Sequence, residues 1–501
     1  MFNRPQCCKD HKPQIEIFPA GKLEILFFWV TMAYFCGKAV FFALRIREMV
    51  FPDEAAWFGI ARLFSRVAWL PVDSPASYPF GLVTHIPSLY FFLMGKALVC
   101  NLFPLGDLVF LRLVNVGIGV LTIFFAWRLI CLLTDLLSVR LLFLTMLTNT
   151  LMFTFLVGAV SYDNLVNLLS VMAFYYFCAF SLRRQVMSLL FAIIAVLAGC
   201  LTKITFLPLA LLFAIAIPWR ERGHIREVST YVRTLYFPAI KIDQLIAWLI
   251  IFVLAGAALT LYGGNWLRYA RLSPSPDAVV GLENALNHRI FARNYALTNY
   301  KNGRISLLEA QRLALRIREE SDRQATLNLL EIARQEKLDP ASAAPVMGRL
   351  RYSVDWLESI CQQVFGIMAH KNMLKDSRAE IAPYGILLLF ALLGFLMKGR
   401  GGAAGLKPCA HLLLFVTAGY LLILMQVVNY AIYQASGVLT FALQGRYTFP
   451  VLVPLYILGA YYFAVAWPPR LRLWSTAILG VFFVWGEFPW FLRHVTPDWY
   501  F

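Results

Sequence analysis

The stretch EILFFWVTMAYFCGKAVFFAL (24–44) is followed at 51–58 by FPDEAAWF. As a helix the first stretch is roughly 32 Å long at 1.5 Å per residue, the thickness of a bilayer's hydrocarbon core. The second places two carboxylates, Asp53 and Glu54, just past the end of that apolar run. An acidic pair at the mouth of a membrane helix can act as a base or hold a cation where water meets lipid.

Runs like the first recur from end to end. Of the 501 residues 60% are hydrophobic and only 15% charged, and the mean hydropathy is +0.66. A soluble domain is nearer half apolar and a quarter charged. The runs are continuous and do not alternate, so the chain reads as an all-α polytopic membrane protein and not a β-barrel. The net charge of +17 comes from Lys and Arg in loops; its reading is topology and contact with anionic membrane lipids, with no nucleic-acid partner. The nine cysteines show neither disulfide nor zinc spacing, and Cys7-Cys8 is read as tolerated rather than acylated. Arg4, Lys9, Lys12 and Lys22 precede the first run without a small-residue cleavage site, which implies a retained first helix.

The apolar segments fall near 24–44, 83–103, 109–131, 141–160, 165–181, 187–201, 204–219, 242–262, 382–397, 411–433, 448–467 and 473–491. The positive-inside rule puts the N-terminus in the cytoplasm and Asp53-Glu54 outside. Arg183-Arg184, the cluster from Arg220 through Arg222, Arg226 and Arg233 to Lys241, the group Lys398, Arg400 and Lys407, and Arg470 with Arg472 all belong inside. If every segment crossed, Arg220 to Lys241 would land outside. Segment 83–103, interrupted by His85, Pro87 and Lys96, is therefore expected to return to the outer face. In the rival arrangement 187–219 is one broken span, which leaves Arg183-Arg184 outside. The preferred count is about eleven transmembrane helices, with re-entrant or juxtamembrane helices besides. The expected organisation is an N-terminal membrane module (1–262), an external, mainly helical insertion (263–380) and C-terminal spans (381–501). In the insertion, Ser306 to Leu338 has helical periodicity, Pro340 and Pro345 interrupt it, and a second helix is expected from about Met347 to Met368. No internal repeat and no glycine-rich phosphate loop is visible.

Few residues in this chain look like chemistry. Asp53 and Glu54 come first; Pro52-Asp53 ahead of Ala55-Ala56-Trp57-Phe58 is also a sound helix start, so Asp53 as an N-cap is the competing reading. Asp163, in Ser161-Tyr162-Asp163-Asn164, sits between two nearly continuous spans, where a charge invites a partner or a metal. Lys203, Arg446, His85 and His370-Lys371 are basic groups on the same face. Singly they read as snorkelling anchors; together they could grip a phosphate whose lipid tail lies in the bilayer. Trp57 is read chiefly as part of an interfacial belt, and otherwise as a stacking surface for a sugar.

These residues form a pattern. The acid pair with its aromatic helix and Ala61-Arg62, the Tyr78-Pro79-Phe80-Gly81 segment, Ser161-Tyr162-Asp163-Asn164, Leu201-Thr202-Lys203 and Gln444-Gly445-Arg446-Tyr447-Thr448-Phe449-Pro450 together resemble the C-type membrane glycosyltransferases. The acid pair and its helix resemble the protein O-mannosyltransferase and aminoarabinose transferase families, and Ser161-Tyr162-Asp163-Asn164 resembles the second acidic motif of oligosaccharyltransferase catalytic subunits. The chain lacks the large C-terminal domain and Trp-Trp-Asp signature of oligosaccharyltransferases, and 263–380 does not look like the lectin-like insertion of the mannosyltransferases. The resemblance implies a GT-C-like helical bundle in a bacterial inner membrane, a polyprenyl-phosphate sugar donor and an extracytoplasmic acceptor: a glycolipid, a polysaccharide or a protein. It implies Asp53 as base, Glu54 orienting or replacing it, and Asp163 holding the acceptor or, with Asp53, a divalent ion such as Mg²⁺ or Mn²⁺. Tyr162, Asn164, His85, Lys203, Arg446, Tyr447 and Trp57 would bind substrate. Two readings from other classes compete. A transporter or flippase for lipid-linked saccharides would carry mid-membrane charges and repeated halves. A non-catalytic scaffold would use 263–380 as its docking surface.

Overall fold

The computed structural model describes residues 21–221, 241–317, 320–338, 347–375, 378–398, 406, 409–439 and 443–501. The expectations for Arg4, Cys7, Cys8, Lys9, Lys12, Arg222, Arg226, Arg233, Pro340, Pro345, Arg400 and Lys407 fall outside these residues.

The described chain is built of helices, with only two isolated β-bridges, Ile46 with Tyr500 and Ile367 with Met373. Eight helices are long and apolar enough to cross a membrane, or nine if the bent pair Leu137–Thr148 and Leu151–Val157 is one span. In chain order the first nine helices are α1 (Lys22–Arg45), α2 (Glu54–Ser65), α3 (Leu89–Val99), α4 (Asp107–Leu133), α5 (Leu137–Thr148), α6 (Leu151–Val157), α7 (Tyr162–Arg183), α8 (Val186–Thr202) and α9 (Leu207–Glu221). Large apolar side chains on the outer surface, such as Trp29, Leu249, Phe252, Leu388 and Trp474, remain exposed. That is tolerable only where lipid replaces water.

The 60° bend between α5 and α6 has a local cause. The Lys38 ammonium, buried in α1, donates to the Thr148 carbonyl at 2.7 Å and to Asn149 Oδ1 at 3.1 Å, and pairs with Glu487 at 2.5 Å. Thr154 Oγ1 also donates to the Thr148 carbonyl, at 3.4 Å, so this helix-end carbonyl is satisfied inside the bundle. Close packing continues at the α6–α7 turn, where Gly158 lies so near α1 that a Cβ would come within 2.6 Å of Phe42 Cβ.

Helix α3 spans only about 16 Å, half of the roughly 30 Å hydrocarbon core. It packs against α2. Eleven crossings require α8 and α9 to cross as well. Their end contacts carry them along the length of α7: Lys203, between them, reaches Asp163 at the start of α7, while Arg220 Nε donates to Ser181 Oγ at its far end at 3.0 Å. Arg128 and Arg140 lie at the Arg220 end too, bonded to Tyr175 and to Glu24.

In the insertion, Ser306–Leu338 is two helices, not one. Leu307–Leu315 begins with a capping box between Ser306 and Glu309, and Glu320–Leu338 follows. The second expected helix is Arg349–Phe365. Its far end meets the bundle: Gln363 Oε1 accepts the Gly445 backbone N–H at 2.7 Å. The insertion is thereby tied to the loop that carries Arg446.

Candidate active site

Asp53 and Glu54 are adjacent in sequence and point to different environments. Asp53 occupies the N-cap position of α2, but its side chain caps nothing. Its backbone is left-handed, at φ 57°, a conformation uncommon for a residue with a Cβ. The carboxylate is thereby free to turn away from the helix: Oδ2 accepts from Arg446 Nη2 at 2.7 Å. The Asp53 backbone N–H donates to His370 Nε2 at 3.2 Å.

Glu54 begins α2 and is fully buried. Its Oε1 accepts from Arg112 Nε at 2.9 Å and from the Val160 N–H at 2.8 Å, and its Oε2 from Arg112 Nη2 at 2.5 Å. Arg112 also donates to the Ala43 and Ile46 carbonyls. Glu54 therefore ties α2 to α4 and to the turn before α7. Both of its oxygens are engaged away from Asp53's partner, with no exposed face.

The second acid comes from the start of α7. Ser161 Oγ accepts the Asp163 N–H at 3.2 Å and so caps that helix, which leaves the Asp163 side chain for other partners. Lys203 Nζ lies 2.5 Å from Asp163 Oδ1, and Arg446 Nη1 lies 3.6 Å from Oδ2. Arg446 thus stands between two carboxylates that are distant in sequence. Gln444 Oε1 accepts its Nε–H at 2.6 Å. Among the described residues its Nη1, buried, has no hydrogen-bond partner. The predicted aromatics frame these cations. The Arg446 guanidinium is 5.1 Å from the Trp57 ring, and the Lys203 ammonium is 4.6 Å and 4.5 Å from the Tyr162 and Tyr447 rings. Cation–π attraction strengthens where water is excluded.

Exposure sorts the four charges. Asp163, Lys203 and Arg446 are nearly inaccessible, while the Asp53 side chain is 29% exposed. Asp53 opens onto a cavity of about 460 Å³ that is also lined by Tyr78, Asn287, His288, Arg289 and His370. Burial pushes the Asp53 carboxyl up, but the charge and hydrogen bond of Arg446, helped by His370 and Arg289, more than offset this and hold it below the usual carboxylate range. Asp53 is therefore ionised at neutral pH.

Two expected substrate-binding residues lie outside the cluster. His85 Nδ1 is 2.6 Å from Asp73 Oδ2, and Asp73 also accepts the backbone N–H groups of Val83, Thr84 and His85. Asp73, which sequence reading passed over, is the organiser of that loop. Asn164 donates to Asn115 Oδ1 and to the Leu156 and Ala159 carbonyls, bracing the turn before α7. Arg112 and Gln363 were also missed. Arg112 looked like one charge in an apolar run, and nothing in the residues around Gln363 marks its contact with Gly445.

The metal expectation fares differently from the cluster. Among the described residues, no three Asp, Glu, His or Cys side chains group to hold an ion. Asp53 and Asp163 have a guanidinium lodged between them, whose charge repels a divalent cation. As arranged, this donor set does not fit Mg²⁺ or Mn²⁺.

No protein-family model and no curated protein matches the chain. Solved structures do. Oligosaccharyltransferase AglB from Archaeoglobus fulgidus, in complex with an inhibitory peptide and a dolichol-phosphate, aligns over 95% of this chain and 59% of its own, at 13% identity and TM-score 0.43. ArnT from Cupriavidus metallidurans bound to undecaprenyl phosphate aligns over 95% and 81%, at 14% identity and TM-score 0.36. A further structure of the archaeal enzyme is a complex with Zn and sulfate, at 13% identity and TM-score 0.41, over 91% of this chain and 52% of that one. This chain spans just over half the length of the archaeal enzyme. At these identities the roles of single side chains are left to the geometry.

Proposed function

We propose that this chain is a glycosyltransferase that moves a sugar from a polyprenyl-phosphate donor to an acceptor at the extracytoplasmic face, in a bacterial inner membrane. The observation that carries the reading is Arg446 lodged between Asp53 and Asp163, with only Asp53 open to the cavity. The acceptor hydroxyl attacks the anomeric carbon. The bond from that carbon to the phosphate oxygen breaks, its electron pair leaves with the phosphate, and Asp53 takes the hydroxyl proton. A single displacement inverts the sugar carbon.

Arg446 and Lys203 offset the charge that grows on the departing phosphate. Among the described residues the buried Arg446 Nη1 has no hydrogen-bond partner, and it is the donor a phosphate oxygen would take up. Asp163 holds both cations in place. Trp57, Tyr162 and Tyr447 wall the pair from water. Glu54 and Asn164 anchor the elements that carry the acids.

The test is sugar transfer from a synthetic polyprenyl-phosphate sugar in detergent, where there are no two sides to cross and transport gives no product. Asp53→Asn is expected to lose about 10²- to 10⁴-fold in rate while its gel-filtration profile stays that of the native chain. Transfer close to native by this variant would remove Asp53 from the role of base.

A further inference from the structure

Asp53 and Arg446 are both gripped by one stretch of the insertion. Residues 349–373 run as the helix Arg349–Phe365 and then a short hairpin, closed where Ile367 and Met373 exchange backbone hydrogen bonds at 2.7 and 2.9 Å. Gln363, in the last turn of the helix, accepts the Gly445 N–H through Oε1 at 2.7 Å. His370, in the hairpin, accepts the Asp53 N–H through Nε2 at 3.2 Å. Both contacts are to backbone, one at Asp53 itself and one at the residue before Arg446. The stretch is in turn fastened to the bundle. Trp356 Nε1 donates to Asn429 Oδ1 at 3.1 Å, the Phe365 ring stacks on that of Tyr384 at 3.5 Å, and Lys371 pairs with Asp498. The fit at Gly445 is close. A Cβ there would come within 2.9 Å of Gln363 Cβ and 3.1 Å of Val364 Cγ2. Gln363 and Gly445 are both buried, where a backbone N–H deprived of its acceptor is unfavourable.

We propose that Gln363 is a positioning residue for Arg446, and that residues 349–373 form a brace whose two acceptors, Gln363 and His370, set the spacing of Arg446 and Asp53. The proposal rests on the glycosyltransferase reading for what that spacing serves. It makes the insertion part of the transfer machinery, although it supplies none of the four charges. When the Gln363 acceptor is lost, the turn Gly445–Val451 loosens from the helix and Arg446 Nη2 draws away from Asp53 Oδ2. Two consequences follow from that movement. The Arg446 donor no longer meets the departing phosphate at the right place, and a misplacement of about 1 Å is enough to slow a reaction about a hundredfold. The Asp53 carboxyl also loses its main charge partner. Burial raises it, and Arg446, then His370 and Arg289, lower it; the His288 imidazole faces it as well.

Gln363→Met keeps the size of the side chain and removes its oxygen. Dicyclohexylcarbodiimide couples to a carboxyl in the protonated form. Its rate of labelling at Asp53, which opens onto the cavity, therefore reports how firmly Arg446 holds that acid, with no transfer reaction. The labelling is done on the full chain in phosphatidylcholine nanodiscs at one mildly acidic pH and read by peptide mass spectrometry. Gln363→Met is expected to label about tenfold faster than the native chain, the size of one pKa unit. It should also lose about tenfold to a hundredfold in kcat for transfer, with little change in KM for the acceptor. Gln363→Glu, which restores an oxygen acceptor, should recover part of both. Gly445→Ala pushes the same turn off the helix from the other side and should give the same two changes, and it carries the test if Gln363→Met does not fold. The double variant should show no further loss, because the two substitutions break one contact. Native labelling by Gln363→Met overturns the proposal. So does a fall in kcat with labelling unchanged, which would leave Gln363 a residue of stability alone, and so do losses that add in the double variant. Absence of transfer by the native chain would instead remove the glycosyltransferase reading, while labelling still decides the brace.

Discussion

Arg446 Nη2 lies 2.7 Å from Asp53 Oδ2 across 393 residues of sequence, and its Nη1 faces Asp163 at 3.6 Å. One planar guanidinium bridges two of the three acids that the sequence singles out. The bridge needs the fork: a lysine in its place is a point charge on a flexible stem and can serve one carboxylate at a time.

Arg446→Lys is therefore expected to keep the fold and lose about a hundredfold in transfer rate, the scale of one preorganised donor. Arg446→Ala should also lower the thermal midpoint, because it leaves Asp163 buried beside Lys203 alone. Rates with a polyprenyl-phosphate sugar and a melting curve in detergent check both. Native rates in the lysine variant would show that charge suffices and the fork does not matter.

The pH dependence has a definite sign. Asp53 is held below the usual carboxylate pKa in the folded chain. The stability from its pairing with Arg446 is present above the unfolded value of about 3.9 and is lost only as pH falls through the lower, folded value. Loss of activity on acidification should accordingly lie below about pH 4 if Asp53 alone sets it. An acid limb at higher pH would belong to the His288 imidazole, which burial and then Arg289 hold below the usual histidine range, and should vanish in His288→Asn.

Glu54 and Arg112 are both wholly buried. Removing one partner strands the other in a low-dielectric interior. Glu54→Leu or Arg112→Met alone should destabilise by about 3–5 kcal/mol, and the double replacement by much less. A double-mutant cycle on denaturation in mixed micelles measures the difference. Additive losses would mean that the two side chains stabilise the chain independently.

His370 reaches Asp53 through the backbone, not the carboxylate. Its accepting nitrogen helps hold a left-handed residue that α2 alone would not impose. His370→Ala should lower kcat several-fold with little change in KM for the donor. His370→Gln, whose carbonyl can also accept, should recover part of the loss. A change confined to KM would make His370 a substrate contact instead of a positioning residue.

The membrane class, most of the helices and the identity of the charged residues were legible in the residues themselves. An apolar run of membrane length has few stable fates, and a charge inside one stands out because its desolvation is unfavourable wherever the helix goes. What the line of residues could not carry was direction. Asp53 and Glu54 are neighbours of the same chemistry, yet one faces the cavity and the other Arg112. The left-handed backbone at Asp53 turns its side chain off the helix that Glu54 begins. The same holds for His85, which resembled a phosphate ligand and pairs with Asp73, twelve residues before it.

Sequence alone determined that this chain lies in a bilayer and which few ionisable groups it carries there, since hydrophobic burial acts residue by residue and leaves its mark in composition. Tertiary structure decided which acid meets which base. Coulomb attraction in a low-dielectric interior depends on distances of a few ångströms between groups hundreds of residues apart, and only the packed helices set those.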